Sequence, residues 1–140
     1  MKSLAIFMNL YRKSPQWLPT LVVTAVICYL TLSSAPLGDT PITLFEGADK
    51  VVHFLMFGAL AGALCLDWSR RSGKWIMPRS VSVTLCALLS ALAGVGIEWL
   101  QSSMEAGRSA EWADGFADGL GAVTGAFVAG WMVWRYSSHE

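Results

Sequence analysis

The chain has little charge and no excess of either sign. Only 14% of its 140 residues are Asp, Glu, Lys or Arg, ten acidic against ten basic, so no nucleic-acid partner is expected of it. Cysteine is scarce too. Cys28, Cys65 and Cys86 all fall inside apolar runs, which excludes an extracellular disulfide framework and leaves them as small buried hydrophobes. A metal or redox role for these thiols lacks the neighbouring ligands such a site needs. The sequence also has no internal repeat, no low-complexity tract and no connection long enough for a soluble domain. Any function must therefore reside within or beside its apolar segments.

What the chain does have is hydrophobicity: 54% of residues are apolar and the mean hydropathy is +0.50, far from a soluble average. Four stretches read as spans, 17–35, 51–68, 81–101 and 113–134, each of roughly 18 to 22 residues, about what a helix needs to cross the hydrocarbon. Of the ten basic residues, Lys2, Arg12 and Lys13 precede the first span, Arg70, Arg71, Lys74 and Arg79 fill the second connection, and Arg135 follows the last span. Only Lys50 and Arg108 lie on the other side. Because Lys and Arg in short loops stay cytoplasmic, both termini are expected inside and the 36–50 and 102–112 connections outside. Trp17, Trp68, Trp131 and Trp134 then mark the inner interface, with Trp99 and Trp112 at the outer one. A rival reading makes the first span a cleaved signal peptide ending at Ser33, Ser34 and Ala35, but the run is long for a signal core and Pro36 follows at once. The expectation is an all-α polytopic membrane protein: one membrane domain, residues 1–140, built as a four-helix transmembrane bundle.

The ionisable residues near the spans gather at one end. "ADKVVHF" opens the second span with Asp49, Lys50 and His53; "GIEWLQ" closes the third with Glu98 and Gln101; "GRSAEWADGFAD" opens the fourth with Arg108, Glu111, Asp114 and Asp118. Helical spacing puts Asp49 and Lys50 on the face of His53, and Glu98 on that of Gln101. Asp114, Asp118, Gly121 and Gly125 fall in a stripe roughly 60° wide. That stripe must face protein, since a carboxylate facing lipid near the bilayer centre costs about 2.5 to 3.5 kcal/mol, whereas the glycines admit a close neighbour. Gly58 and Gly62 offer a matching face, as do Gly94 and its neighbours. Asp114 alone reads equally well as a helix cap. Asp118, about 6 Å deeper, reads otherwise as a buried ion pair with Arg108 or Lys50. At the opposite end, Asp67 is expected to pair with Arg70 or Arg71.

Five carboxyls, Asp49, Glu98, Glu111, Asp114 and Asp118, face Lys50, Arg108 and His53. Full ionisation in a partly dry site is unfavourable, so either a carboxyl keeps its proton or a cation joins the group. A metal held by His53, Glu98, Asp114 and Asp118 is chemically feasible, but the reading adopted holds no metal and no cofactor. A permeation route would show polar residues continuing towards the other end, and those inner halves are Ala, Val, Leu and Gly.

Three ordered motifs, "DKVVHF" at 49–54, "EWLQ" at 98–101 and "GRSAEWADGFADGLGAVTG" at 107–125, make the sequence resemble the VanZ-like family of small bacterial membrane proteins over about 48–130. Two positions depart from it: the family commonly has Asn where Asp118 stands, and often Tyr where Phe57 stands. The resemblance implies a bacterial cytoplasmic-membrane protein, in a family named for a member associated with reduced susceptibility to the glycopeptide teicoplanin.

The leading functional expectation is an outward pocket that binds the headgroup of a membrane lipid, a lipid-linked envelope precursor or a lipophilic glycopeptide. Arg108 and Lys50 would meet anionic oxygens while Asp49, His53, Glu98, Gln101, Asp114 and Asp118 orient the rest. The competing class is an intramembrane hydrolase or transferase with His53, Glu98 or Asp118 as its catalytic groups; no serine or cysteine nucleophile stands in a recognisable setting, and Ser109 carries no motif. A third class is a structural or partner-binding bundle in which the polar residues only fix helix register. The glycine faces serve contacts within one chain or between chains equally well, so the oligomeric state is left open.

Overall fold

The computed structural model describes residues 6, 9–10, 13–33, 47–70, 78–104 and 112–137, apart from the side chains of 70, 136 and 137. Four helices carry the described fold: α1 (Leu18–Leu32), α2 (Ala48–Arg70), α3 (Arg79–Ser103) and α4 (Trp112–Ser137). The last three contain the expected spans and run two or three residues beyond most of their ends. They are long and apolar enough to cross a membrane.

The first span is shorter than the sequence suggested. Trp17 adopts a left-handed backbone (φ 67) just before α1, Pro19 occupies its first turn, and Ser33 is already extended at its end. The resulting 15 residues reach about 22 Å at 1.5 Å per residue, less than the roughly 30 Å of a hydrocarbon core. Proline suits that first turn because its missing amide proton had no helical acceptor.

Contact registers give the helix directions. Lys50 meets Asp114, His53 meets Asp118, and a side chain at Gly121 or Gly125 would meet Phe54 or Gly58. Residue numbers rise together along this seam, so α2 and α4 run parallel. Between α3 and its neighbours the numbers run oppositely: Glu98 approaches His53 while Ser90 reaches Phe57, and Gly94 abuts Asp118 while Gly130 abuts Val83. The bundle therefore alternates direction along the chain, which brings the start of α2, the end of α3 and the start of α4 to a single polar end.

Glycine sets the α2–α4 distance. A Cβ on Gly121 would drive into the Phe54 backbone and one on Gly125 into that of Gly58, while a Cβ on Gly58 would stand 3.1 Å from the Gly121 carbonyl oxygen. Such close backbone approach is how membrane helices gain packing contacts where lipid is as apolar as leucine. Below the crossing lies a core of small residues, Ala61, Cys65, Cys86, Ala122, Ala126 and Ala129. Cys65 and Cys86 thus share one buried cluster, as small apolar side chains. A second cluster packs Ile27 of α1 on Phe57 and Leu60.

Polar groups are placed inside and large apolar ones outside. Asp67, Asp118, Ser82 and Ser90 are buried, whereas Leu55, Leu92, Val95, Val123 and Phe127 are exposed, the arrangement of a bundle solvated by lipid. Each inner polar group needs an internal partner. The Ser90 hydroxyl donates to the Phe57 carbonyl at 2.9 Å. Asp67 Oδ2 accepts from the Thr20 hydroxyl at 2.6 Å and from its backbone N–H at 3.2 Å, so a carboxylate on α2 caps the first turn of α1. The Arg70 side chain and Arg71, its expected partners, lie outside the described residues.

The glycine seam makes a direct prediction. Gly121→Ala should destabilise the folded protein by about 1–3 kcal/mol or more, the usual cost of overpacking a tight contact. Gly119→Ala, where a Cβ meets nothing within 4 Å, should be neutral or gain up to about 1 kcal/mol in helix propensity. Reversible unfolding in detergent micelles measures both. Equal effects would rule out the backbone contact.

Candidate functional site

The polar end is built from three helices. On α2, Asp49 and Lys50 lie in the first turn and His53 one turn further in. Lys50 Nζ donates to Asp49 Oδ2 at 3.0 Å and lies 3.4 Å from Asp114 Oδ1 of α4. The first contact is exposed and adds roughly 0–1 kcal/mol at most. The second links two helices as an ion pair, but it supplies no hydrogen bond, and Asp114 Oδ1 is buried without one.

His53 is the centre of the group. Its Nδ1 lies 2.9 Å from Asp118 Oδ1 and 3.8 Å from Glu98 Oε1, and its ring stacks on Phe57 one turn away, with centroids 6.4 Å apart. The two side chains share one hydrogen bond, in which the tautomer of the ring decides the donor. Asp118 itself is 1% exposed, and its Oδ2 has no hydrogen-bond partner.

Room for that carboxylate comes from α3. A Cβ on Gly94 would stand 2.7 Å from Asp118 Oδ2 and 3.0 Å from its Cβ, so the missing side chain at 94 is the space Asp118 fills. Glu98, one turn along α3, then reaches the same histidine. One ligand atom each from His53, Glu98 and Asp114 lie within 4.8 Å of one another.

Six of the eight expected binding residues thus converge: Asp49, Lys50, His53, Glu98, Asp114 and Asp118. Gln101 is engaged elsewhere. Its Nε2 donates to the Thr31 carbonyl at 2.8 Å in a buried contact that ties α3 to α1. Arg108, like Glu111 and Ser109, lies outside the described residues. One contributor escaped the sequence reading: Gly94 was expected to admit a helix rather than one carboxylate.

The arrangement supports two chemistries. A His–Asp pair is the setting of a general base, while several carboxylates around one lysine attract ligand groups that donate hydrogen bonds. The hydroxyls of Ser102 and Ser103, at the end of α3, donate to the Trp99 and Leu100 carbonyls. Neither is placed as a nucleophile against His53.

Gly94→Ala should push Asp118 aside and break its bond to His53. In protein carrying ¹⁵N-histidine, the His53 Nδ1 resonance should move away from the hydrogen-bonded position, whereas Gly96→Ala, which meets nothing within 4 Å, should leave it unchanged. An unaltered His53 signal in Gly94→Ala would contradict the packing.

No curated protein and no solved structure shows significant similarity to the chain. The sequence model of the VanZ/LLP1 family, however, matches residues 3–134, a stretch that includes all four helices, the glycine seam and the polar end just described up to Trp134. The chain therefore belongs to the VanZ/LLP1 family of membrane proteins.

Proposed function

We propose that this protein binds a lipid-like amphiphile, with the headgroup at the polar end of the bundle and the chain in the seam between α2 and α4. The observation that carries this reading is that a hollow beside Lys50 and a long apolar groove share a wall at Phe54. A hollow of about 400 Å³ sits beside Lys50, walled by Val51, Phe54, Ala113, Phe116 and Leu120. Phe54 also lines a larger apolar groove of about 880 Å³ running past Gly58, Gly62, Gly121 and Gly125. That volume lies in the range of small-molecule sites, and its walls are almost wholly apolar. A charged mouth above a hydrocarbon-lined slot matches the two halves of an amphiphile.

The headgroup chemistry follows from the donor balance. Asp49, Glu98 and Asp114 present acceptors, so hydroxyl, amide or ammonium groups satisfy them, while Lys50 at the rim suits one anionic oxygen. Envelope lipids, lipid-linked envelope precursors and lipophilic glycopeptide-type antibiotics all combine such a head with a hydrocarbon tail. Capture of the antibiotic or its target would modulate susceptibility.

The basic residues at the other end support an orientation in the cytoplasmic membrane with both termini inside and the pocket facing out. In that arrangement the short α1 acts as a fourth span. A second reading, an intramembrane hydrolase or transferase, draws support from the His53–Asp118 bond at 2.9 Å. Turnover of an added lipid-linked substrate by purified protein, abolished in His53→Ala, would favour it over binding alone.

Binding is tested by mass spectrometry of lipids that co-purify with the full chain. Lys50→Ala and Val128→Trp, which places an indole in the groove, should each lower retained lipid about tenfold, equivalent to roughly 1.4 kcal/mol. Retention equal to wild type in both variants, or no lipid above the detergent blank in the wild type, would refute the reading.

A further inference from the structure

We propose that His53, Glu98 and Asp114 bind one divalent transition-metal cation, Zn²⁺ or Mn²⁺, at the polar end of the bundle. One ligand atom from each residue lies within 4.8 Å of the other two, and the three side chains come from three helices. Metal–ligand bonds of about 2.0–2.2 Å bring ligand atoms to roughly 3–3.5 Å of one another, so rotamer shifts of about 1 Å close the set. An imidazole with two carboxylates selects a first-row transition cation over Mg²⁺ or Ca²⁺, which prefer oxygen alone. Three protein ligands also leave positions open for water or for an oxygen of a bound molecule.

Unsatisfied acceptors are the independent observation that points to an ion. The Asp118 side chain is 2% exposed, with Oδ1 on His53 Nδ1 at 2.9 Å and Oδ2 set in the niche at Gly94. That Oδ2 lacks any hydrogen-bond partner, as does the buried Asp114 Oδ1 within the cluster. Carboxylate oxygens without a hydrogen bond in a dry site are costly. Among the described residues, Lys50 is the only Lys or Arg at this end, and it already contacts Asp49 and Asp114. A dication adds positive charge beside these carboxylates. A carboxylate hydrogen-bonded to a ligating histidine also orients its ring, and Asp118 is bonded to the ring of His53.

The ion requires only these side chains, so the inference goes beyond the lipid reading without resting on it. Where both hold, an open coordination position would accept an anionic headgroup oxygen, which reconciles an acidic pocket with an anionic ligand.

The test uses tag-free full-length protein in detergent, stripped with a chelator and then offered Zn²⁺ alone. About one zinc per chain should be retained. His53→Ala and Asp114→Asn should weaken binding at least tenfold, and Asp118→Asn about 10- to 100-fold. A triple Cys28→Ser, Cys65→Ser, Cys86→Ser variant should keep its zinc, which separates this site from adventitious thiol binding. A His53→Ala chain that fails to fold is replaced by pulsed electron paramagnetic resonance of Mn²⁺ on wild type. There, coupling to one imidazole nitrogen should appear and should survive His139→Ala, which removes the other histidine. No metal above the blank, zinc lost with the cysteines yet kept in His53→Ala, or Mn²⁺ without nitrogen coupling would overturn the site. Lipid retention measured with chelator present separates the two readings. Lipid held by a chain that binds no metal sinks the ion alone, and metal held without lipid sinks the amphiphile alone.

Discussion

The backbone contact between α2 and α4 is the constraint on which the rest depends. Gly121 against Phe54 and Gly125 against Gly58 bring two parallel helices closer than any side chain would allow. One turn outward, this closeness puts Asp118 next to His53. A larger residue in the seam would separate the helices along their length, so packing near the middle determines whether a polar bond forms at the end. In a lipid solvent that coupling is strong, because apolar attraction between helices is weak and van der Waals contact must replace it.

Two buried carboxylates, near opposite ends, hold the bundle together in different ways. Asp67 takes two hydrogen bonds from Thr20 and fastens the short first helix where prolines limit its first turn. Asp118 shares one with His53, and its second oxygen has no hydrogen-bond partner. The first pairing is satisfied as a cap, and helix starts favour negative charge. The second is only partly satisfied, and such residual demand in a dry site marks places where a ligand or ion acts. The two acids therefore differ in hydrogen-bond completion, Asp67 Oδ2 taking two bonds and Asp118 Oδ2 none.

Much of the site was readable in the sequence because lipid makes the pattern strict. Carboxylates four residues apart at the start of a span, in line with Gly121 and Gly125, cannot face hydrocarbon, and that alone turned Asp118 towards the histidine. Gln101 could not be placed in the same way. A polar residue at a helix end can face either neighbour, and its bond to the Thr31 carbonyl depends on how α1 leans on the others. Gly94 was readable as a small residue, but its use as a niche for one carboxylate is visible only when α3 and α4 are brought together. The early end of α1 at Ser33 is a local backbone turn that continuous hydrophobicity conceals. Whether Arg108 joins the cluster lies outside the described residues.

The most direct measurement of the central claim is a double-mutant cycle on His53 and Asp118, with unfolding free energies for His53→Ala, Asp118→Ala and the pair in the same micelles. If the two side chains meet in one desolvated site, each single change strands its partner, and the coupling should be about 1–3 kcal/mol, with the double variant less damaged than the sum. Additive losses, with coupling within about 0.3 kcal/mol of zero, would show that the residues do not touch and that the polar end is not a single site.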